Sequence, residues 1–156
     1  PNLIGYSMRQ AMAELQSRGL VLGRLIYVKD MATNNVLRQF MDAREIEPGT
    51  QVESESVIDI EVGLNDADSS TFVPDVLGLR NVNAVDAIHS SSLNVARLKF
   101  DTTVKDYDDS LAAVVYRQEP EASDSLHVLK GLEVTLFMTI DENKVPHRLE
   151  KKYSEK

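Results

Sequence analysis

The chain has 156 residues, no cysteine and a formal net charge of −8, with 25 acidic against 17 basic residues. The lack of cysteine excludes disulfides, and this acidic balance makes the phosphate backbone of nucleic acids an unfavourable partner. The sequence has no run of about 18 or more apolar residues, so none of it is predicted to span a bilayer.

The chain opens with a short extended segment, Pro1 to Gly5, followed by a helix predicted from Met8 to Arg18. Ser7 and Gln10 have the spacing of a capping box. The apolar residues at helical spacing form one face of this helix: Met8, Ala11, Met12 and Leu15. Gly19 stands where a left-handed C-cap is expected, and it ends the helix.

Three strands are predicted after this helix. Residues 20–28 alternate around β-branched and aromatic residues, with an irregularity expected at Gly23. A turn over 29–35 leads into a second strand over 36–46, which Pro48 and Gly49 end. The third strand, 57–62, is apolar on one face and acidic on the other. The sequence therefore predicts one helix packed on a three-stranded antiparallel sheet.

The same pattern recurs after a shift of 73 residues, which places Pro1 on Pro74. Several other residues recur at that shift: Gly5 and Gly78, Ala11 and Ala84, Ser17 and Ser90, Leu20 and Leu93, Arg24 and Arg97, Leu25 and Leu98. In the second copy, Asn81 is the predicted N-cap, and Val82, Val85 and Ile88 form the predicted apolar stripe. Strands are predicted over 93–104, 110–118 and 132–140, with an acidic turn over 105–109.

The predicted fold class is α+β, with two small tandem units that each pack one helix on a three-stranded antiparallel sheet. The predicted boundaries are 1–63 and 72–140 for the units, 64–71 for a linker, and 141–156 for a C-terminal tail. Copy two enters its motif through Phe72 and Val73, whereas copy one begins at the proline itself. We therefore expect the chain to be part of a longer protein.

No catalytic constellation is recognisable in the sequence, and we predict that the chain is not an enzyme. It has no Gly-x-Ser-x-Gly elbow, no His-Glu-x-x-His motif and no glycine-rich phosphate loop. His89 corresponds to Gln16 of the first copy and is predicted to face solvent, as are His127 and His147. No cofactor is predicted.

The acidic turns at Asp66/Asp68 and Asp106/Asp108/Asp109 leave a calcium site open as an alternative. Neither turn has both the central glycine and the terminal glutamate of an EF-hand loop, so solvated turns and no metal are predicted.

The predicted ligand-binding residues are Arg24, Arg97 and Lys99. An arginine recurs at the same place in both copies, and a guanidinium can bind a carboxylate through two hydrogen bonds. A structural role on an exposed strand face is the alternative for the arginines. A sugar-stacking surface is an alternative that the aromatic residues leave open: Tyr6, Tyr27, Phe40, Phe100, Tyr107 and Tyr116. Tyr27 and Phe100, however, recur as an apolar pair and are predicted to lie in the core.

Both copies resemble the PASTA domain, an extracytoplasmic module of bacterial penicillin-binding proteins and membrane-spanning Ser/Thr kinases. The resemblance covers about residues 1–63 and 72–140 and rests on these motifs: Pro1 to Gly5 and Pro74 to Gly78, Ala11 with Leu15, Ala84 with Ile88, Gly19 with Leu20, Gln118-x-Pro120, and Gly131-x-x-Val134-x-Leu136. Copy one has Arg44 and Ile46 where the family has Gln and Pro, and it lacks the later glycine. Copy two has Ser123 where copy one has Gly49.

The resemblance implies a noncatalytic module of the bacterial cell envelope or periplasm, held to the membrane by an upstream anchor. Its implied ligands are uncrosslinked peptidoglycan peptides, glycan or β-lactam-like compounds, and its implied partners include cell-wall synthesis proteins. The alternative is a structural spacer or a docking platform for cell-wall synthesis or division enzymes. An exposed apolar patch would favour a protein partner, and a concave polar site would favour a peptide or glycan.

Overall fold

The first helix begins at the predicted capping box. The Ser7 hydroxyl accepts a hydrogen bond from the Gln10 main-chain N–H, and the Gln10 side chain accepts one from the Ser7 N–H. After the helix, Gly19 adopts a positive φ of 70°, which lets the N–H of Leu20 reach the carbonyl of Leu15 at 2.8 Å. Local sequence therefore sets both ends of this helix.

The computed structural model describes residues 1–29 and 34–146, and the predicted turn residues 30–33 and the tail from His147 lie outside them. The helices are α1 (Met8–Ser17), α2 (Asn81–Ser90) and α3 (Tyr107–Ala112). The strands are β1 (Val21–Lys29), β2 (Val36–Met41), β3 (Arg44–Ile46), β4 (Val57–Leu64), β5 (Ser70–Thr71), β6 (Asn94–Phe100), β7 (Val114–Glu119), β8 (Val128–Leu129) and β9 (Glu133–Thr139). Short 3₁₀ turns occupy Asp66–Asp68 and Glu142–Lys144.

The chain divides into two compact units. Unit 1 comprises Pro1–Thr71 with Ser92–Asn94 and Val128–Leu132, and unit 2 comprises Phe72–Ser91, Val95–His127 and Glu133–Lys156. The α+β prediction, a helix with a sheet in each unit, is confirmed. The predicted linker is not featureless, because it contains the first 3₁₀ turn and β5.

The main sheet of unit 1 has four strands in the order β1-β4-β2-β3. The predicted three antiparallel strands are wrong in two respects. First, β1 pairs with β4 in parallel, while the other pairs are antiparallel. Second, the predicted strand over 36–46 is a hairpin, because Asp42 and Ala43 take φ values of 53° and 64° and reverse the chain. The reversal was not foreseen because neither turn residue is Gly or Asn.

The core of unit 1 lies between α1 and the inner face of this sheet. Its buried residues include Leu3, Met8, Ala11, Met12, Leu15, Leu20, Leu25, Val36, Ile58, Ile60 and Val62. The irregularity expected at Gly23 is confirmed as a shift of register between β1 and β4. A Cβ at Gly23 would lie 2.1 Å from Asp59 Oδ1 and 2.7 Å from Val57 Cγ1, so any larger residue would force these side chains to shift. The same Asp59 oxygen accepts the N–H of Arg24 at 2.7 Å.

Unit 2 packs α2 against a three-stranded sheet in the order β6-β9-β7. Its buried apolar residues include Val73, Val76, Ala84, Ile88, Ala113, Val115, Val134, Leu136 and Met138. The strand predicted over 110–118 begins only at Val114, because the acidic residues before it form α3. Asp106 caps this helix by accepting the N–H of Asp109 at 2.8 Å.

Three predictions of burial in unit 2 are wrong. Val82 is 76% exposed and His89 only 6% exposed, whereas the stripe was expected to include the valine and exclude the histidine. The core face of α2 runs through Ala84 and Ile88, and a residue two positions from Ala84 points away from that face. Phe100, predicted to be core, is 39% exposed at the end of β6. His127, by contrast, is exposed as predicted, and its ring lies 4.4 Å from that of Phe72.

A buried glutamine joins the first segment of each copy to its sheet. Gln39 accepts the N–H of Leu3 at 3.0 Å and donates to the carbonyls of Pro1 and Glu47. Gln118 accepts the N–H of Val76 at 3.0 Å and donates to the carbonyls of Pro74 and Pro120.

The counterpart of Gln118 in copy one is therefore Gln39, and the assignment of this position to Arg44 is wrong. The hairpin of β2 and β3 lies between Gln39 and Pro48, and this insertion displaced the motif along the sequence.

Among the residues with positive φ, two lie at matching places in each copy, one after the helix and one before the last main strand. Copy one uses Gly19 and Glu55, and copy two uses Ser92 and Gly131. The Glu55 N–H donates to the Gly19 carbonyl at 2.8 Å, and the Gly131 N–H donates to the Ser92 carbonyl at 2.7 Å. The glycine that copy one lacks is thus replaced by Glu55 in the same conformation.

Candidate binding surface

The three predicted binding residues lie on corresponding strands of the two units. Arg24 is exposed on β1 of unit 1, at the bulge that Asp59 holds. Arg97 and Lys99 are exposed on β6 of unit 2. Because they are two residues apart on one strand, their side chains leave the same face. The structure therefore brings Arg97 and Lys99 together, and Arg24 belongs to the other unit.

The relevant face of unit 2 is the one opposite its core, which we call the outer face. Along β9, Val134, Leu136 and Met138 are buried, so alternation places Phe137 on the outer face. Arg117 of β7 is paired in register with Phe137. An aromatic residue thus occupies the middle of a solvent-facing sheet surface.

Cations from both neighbouring strands lie over the Phe137 ring. Lys99 Nζ is 5.4 Å from the ring centroid, and Arg117 Cζ is 4.7 Å from it. Since β9 lies between β6 and β7, the ring lies between the two cations. The Tyr116 ring meets Phe137 edge-on, with centroids 6.3 Å apart. Each cation–π contact at an exposed site contributes about 0.5–1 kcal/mol.

Carboxylates lie at both ends of the outer face. At one end, Asp101 Oδ2 is 2.7 Å from Lys144 Nζ, which also lies 5.2 Å from the Tyr116 ring centroid. Burial by itself would raise the pKa of Asp101, but hydrogen bonds from Lys144, Thr103 and Thr139 outweigh it and hold this pKa well below its ordinary range. At the other end, Glu119 pairs with Arg117.

Unit 2 is expected to lose stability as the pH falls below about 4. The pKa of Asp101 is lower in the folded chain than its ordinary value of 3.8, so its stabilisation is present above that value and lost on acidification. Urea unfolding at about pH 7 and about pH 2.5 measures the loss, which should be smaller in Asp101→Asn. The exposed Asp124→Asn variant serves as control, and equal pH dependence of Asp101→Asn and the wild type would contradict the assignment.

The corresponding position of unit 1 carries an acid. Glu61 of β4 pairs in register with Arg38 of β2, as Phe137 pairs with Arg117 in unit 2. Arg38 Nη2 lies 2.9 Å from Glu61 Oε2, and the hydrogen bond raises the pKa of Arg38. Arg38 also lies 3.5 Å from Glu45. Unit 1 therefore neutralises its cation at this place.

Sequence reasoning missed Phe137, Arg117 and Lys144. The available signal was the interrupted alternation of β9, where the run from Leu136 to Met138 places an apolar residue at an outward position. The convergence of Lys99 and Arg117 on that ring depends on the strand order, which the sequence does not state.

Carboxylates of the two acidic turns interact with neighbouring protein groups. Asp109 accepts the N–H of Lys105 at 2.9 Å, and Asp68 lies 3.1 Å from Lys130 Nζ. Within residues 1–29 and 34–146, no group of three or more His, Cys, Asp or Glu side chains is arranged to hold a metal ion.

In both copies a short helix packs on a small sheet, and a buried glutamine of the sheet is hydrogen-bonded to the first segment of the copy. This is the fold of a repeated small α+β module. The PASTA domain family model matches residues 1–64, which are the first copy. The resemblance found in the sequence is thereby confirmed for that copy. A search among curated proteins finds no match.

Two solved structures are similar to the chain at low identity. The three-PASTA-domain of a Ser/Thr kinase from Staphylococcus aureus is 15% identical with a TM-score of 0.35, and the match covers 90% of this chain and 65% of that one. The entire extracellular region of the Ser/Thr kinase PrkC from Staphylococcus aureus is 16% identical with a TM-score of 0.35, covering 99% and 54%. This chain thus spans 65% and 54% of those two chains. None of the described helices has the length and apolar character required to cross a membrane.

Proposed function

We propose that the chain is a noncatalytic extracytoplasmic module that binds cell-wall material, namely peptidoglycan peptides or glycan, within a longer membrane-anchored protein of the cell envelope. The PASTA match over residues 1–64 supports the module class. The observation that carries the binding role is the outer face of unit 2, where Lys99 and Arg117 lie over the Phe137 ring and Arg97 leaves the same strand face as Lys99.

The charge of this face differs in sign from that of the whole chain. The chain carries −8, so it has no general attraction for anionic wall polymers. In the described part of the chain, neither Arg97 nor Lys99 has an ion-pair partner. Two exposed cations on an otherwise acidic protein therefore mark the place where an anionic ligand would bind, with low affinity and a dependence on salt.

Cosedimentation with purified peptidoglycan tests this function. Wild-type protein is expected to pellet with the sacculi at low salt and less so at moderate salt. A double variant, Arg97→Gln with Lys99→Gln, should pellet less. A second double variant, Arg80→Gln with Lys105→Gln, has the same change of charge at exposed positions outside the sheet and should behave as the wild type. Wild-type protein that stays wholly in solution at both salt concentrations overturns the binding role.

The second candidate is a structural spacer or a docking platform for cell-wall synthesis or division proteins. The neutralised Arg38–Glu61 pair favours this role for unit 1, since the outer face of that unit carries no unpaired cation at this position. If peptidoglycan binding fails, crosslinking of the full protein to envelope proteins in cells tests this candidate.

A further inference from the structure

The environment of the Phe137 ring limits how the outer face of unit 2 can recognise a ligand. A sugar is commonly held by stacking on an aromatic face, which must be open. Lys99 and Arg117 lie over the Phe137 ring from the two neighbouring strands. These two cations therefore cover the ring and leave no open aromatic face for a sugar. The face presents positive charge to solvent instead.

The spacing of the cations matches more than one carboxylate. Arg97 and Lys99 are two residues apart, which on a strand is about 6.6 Å. An extended peptide with carboxylates on alternate residues has about the same 6.6–6.8 Å repeat, so each of two successive carboxylates can face one of these cations.

We propose that the outer face of unit 2 binds short extended peptides that carry two or more carboxylates, through Arg97 and Lys99. This inference rests on the proposed wall-binding function and deepens it, because it assigns recognition to acidic peptides and not to glycan. Phe137 acts as a positioning residue that holds Lys99 and Arg117 on either side of its ring. Glu119 and Glu133 at the other end of the face set the limit of the cationic surface.

The comparison of the two units shows where their cations differ. Arg38 corresponds to Arg117 by register, but its partner across the strands is Glu61, where unit 2 has Phe137. Arg117 is likewise paired with an internal carboxylate, that of Glu119. The units differ instead in the first strand of each sheet, where the shift of 73 residues places Arg97 on Arg24 but Lys99 on Ile26, so unit 2 has two cations on one strand face where unit 1 has one.

NMR titration of the full chain tests the proposal with a defined probe. The probe is the amidated, acetylated pentapeptide Glu-Ala-Glu-Ala-Glu, and its control replaces each Glu with Gln. We expect the acidic peptide to shift amide signals of β6, β7 and β9 and to leave β1, β2 and β4 unchanged. The Gln peptide should cause no shifts. Equal shifts from both peptides, or equal shifts in both units, overturn the proposal.

Variants make the test specific. Arg97→Gln with Lys99→Gln should weaken binding at least about tenfold, since two charge-assisted contacts are lost. The control pair Arg80→Gln with Lys105→Gln should not change it. Phe137→Leu keeps an apolar residue but removes the ring that positions the cations, and should weaken binding less. Unchanged affinity of the first double variant, with a wild-type spectrum elsewhere, contradicts the proposal.

The peptide site and the wall-binding function can fail separately. If the acidic peptide binds unit 2 but the protein does not pellet with sacculi, the peptide site is supported and the wall-binding function is wrong. If the protein pellets with sacculi equally well after the Arg97 and Lys99 substitutions, the wall-binding function is supported and the peptide site is wrong. Binding of neutral glycan oligomers with shifts centred on Phe137 would likewise overturn the assignment to peptides.

Discussion

Leu15→Ala and Ile88→Ala should lower the free energy of unfolding of unit 1 and unit 2, respectively, by about 2–5 kcal/mol. Leu15 is 1% exposed on α1, and Ile88 is fully buried on α2. Each truncation removes apolar contacts and leaves a cavity that the surrounding sheet cannot fill completely. Urea unfolding followed through the NMR signals of each unit measures both losses separately.

Gln16→Ala provides the matched control on α1, because Gln16 is exposed next to the buried Leu15. Its effect should stay within about 0.5 kcal/mol. Equal unfolding midpoints for Leu15→Ala and Gln16→Ala would show that the assigned core face of α1 is wrong.

Gln39→Ala and Gln118→Ala are each expected to cost about 2–4 kcal/mol. Gln39 is fully buried and Gln118 is 3% exposed, and each bridges the first segment of its copy to the sheet. Alanine would leave the N–H of Leu3 or Val76 buried without its acceptor, and an unmet buried donor costs more than the net value of one hydrogen bond. The same unit-resolved urea unfolding measures the effect.

The exposed Gln51→Ala serves as control for these glutamines and should leave stability within about 0.5 kcal/mol. Protection of the Leu3 and Val76 amides against hydrogen exchange gives an independent readout. If the variants unfold at the wild-type midpoint and these amides keep their protection, the hydrogen bonds of Gln39 and Gln118 do not hold the first segments in place.

Residues that act through near neighbours in the chain were predictable. The capping box of Ser7 and Gln10 closes within one helical turn, and the face of α1 follows from the helical period alone. The same reasoning gave a wrong face for α2, because it included Val82, which is exposed, whereas the buried residues are Ala84 and Ile88. Both faces have helical spacing, and only the position of the sheet decides which of them is buried.

The β2–β3 hairpin and α3 illustrate a second limit. Asp42 and Ala43 adopt left-handed conformations because the flanking strands pair, which composition did not signal. Helix α3 is short, and its acidic residues suggested a turn, yet Asp106 and the acidic first turn also satisfy the helix N-terminus. Local patterns of this length are compatible with more than one structure.

The candidate binding surface likewise has a part that the sequence indicated and a part that only the sheet revealed. Arg97 was predicted as a binding residue because an arginine recurs at the same place in both copies, and Lys99 because it is a basic residue close to it in the sequence. Phe137 and Arg117 were missed because they join the outer face through pairing with other strands. Strand order and register are properties of the assembled sheet.

By itself, the sequence determined the duplication, the helix-and-sheet class, the ends of α1 and the positions that need glycine, because these depend on local periodicity and backbone sterics. Only the tertiary structure decided the parallel pairing of β1 with β4, the hydrogen bonds of Gln39 to the first segment, and the placing of Lys99 and Arg117 over the Phe137 ring. These features join residues far apart in the chain, and their interactions form only when the strands have paired in the final order and register.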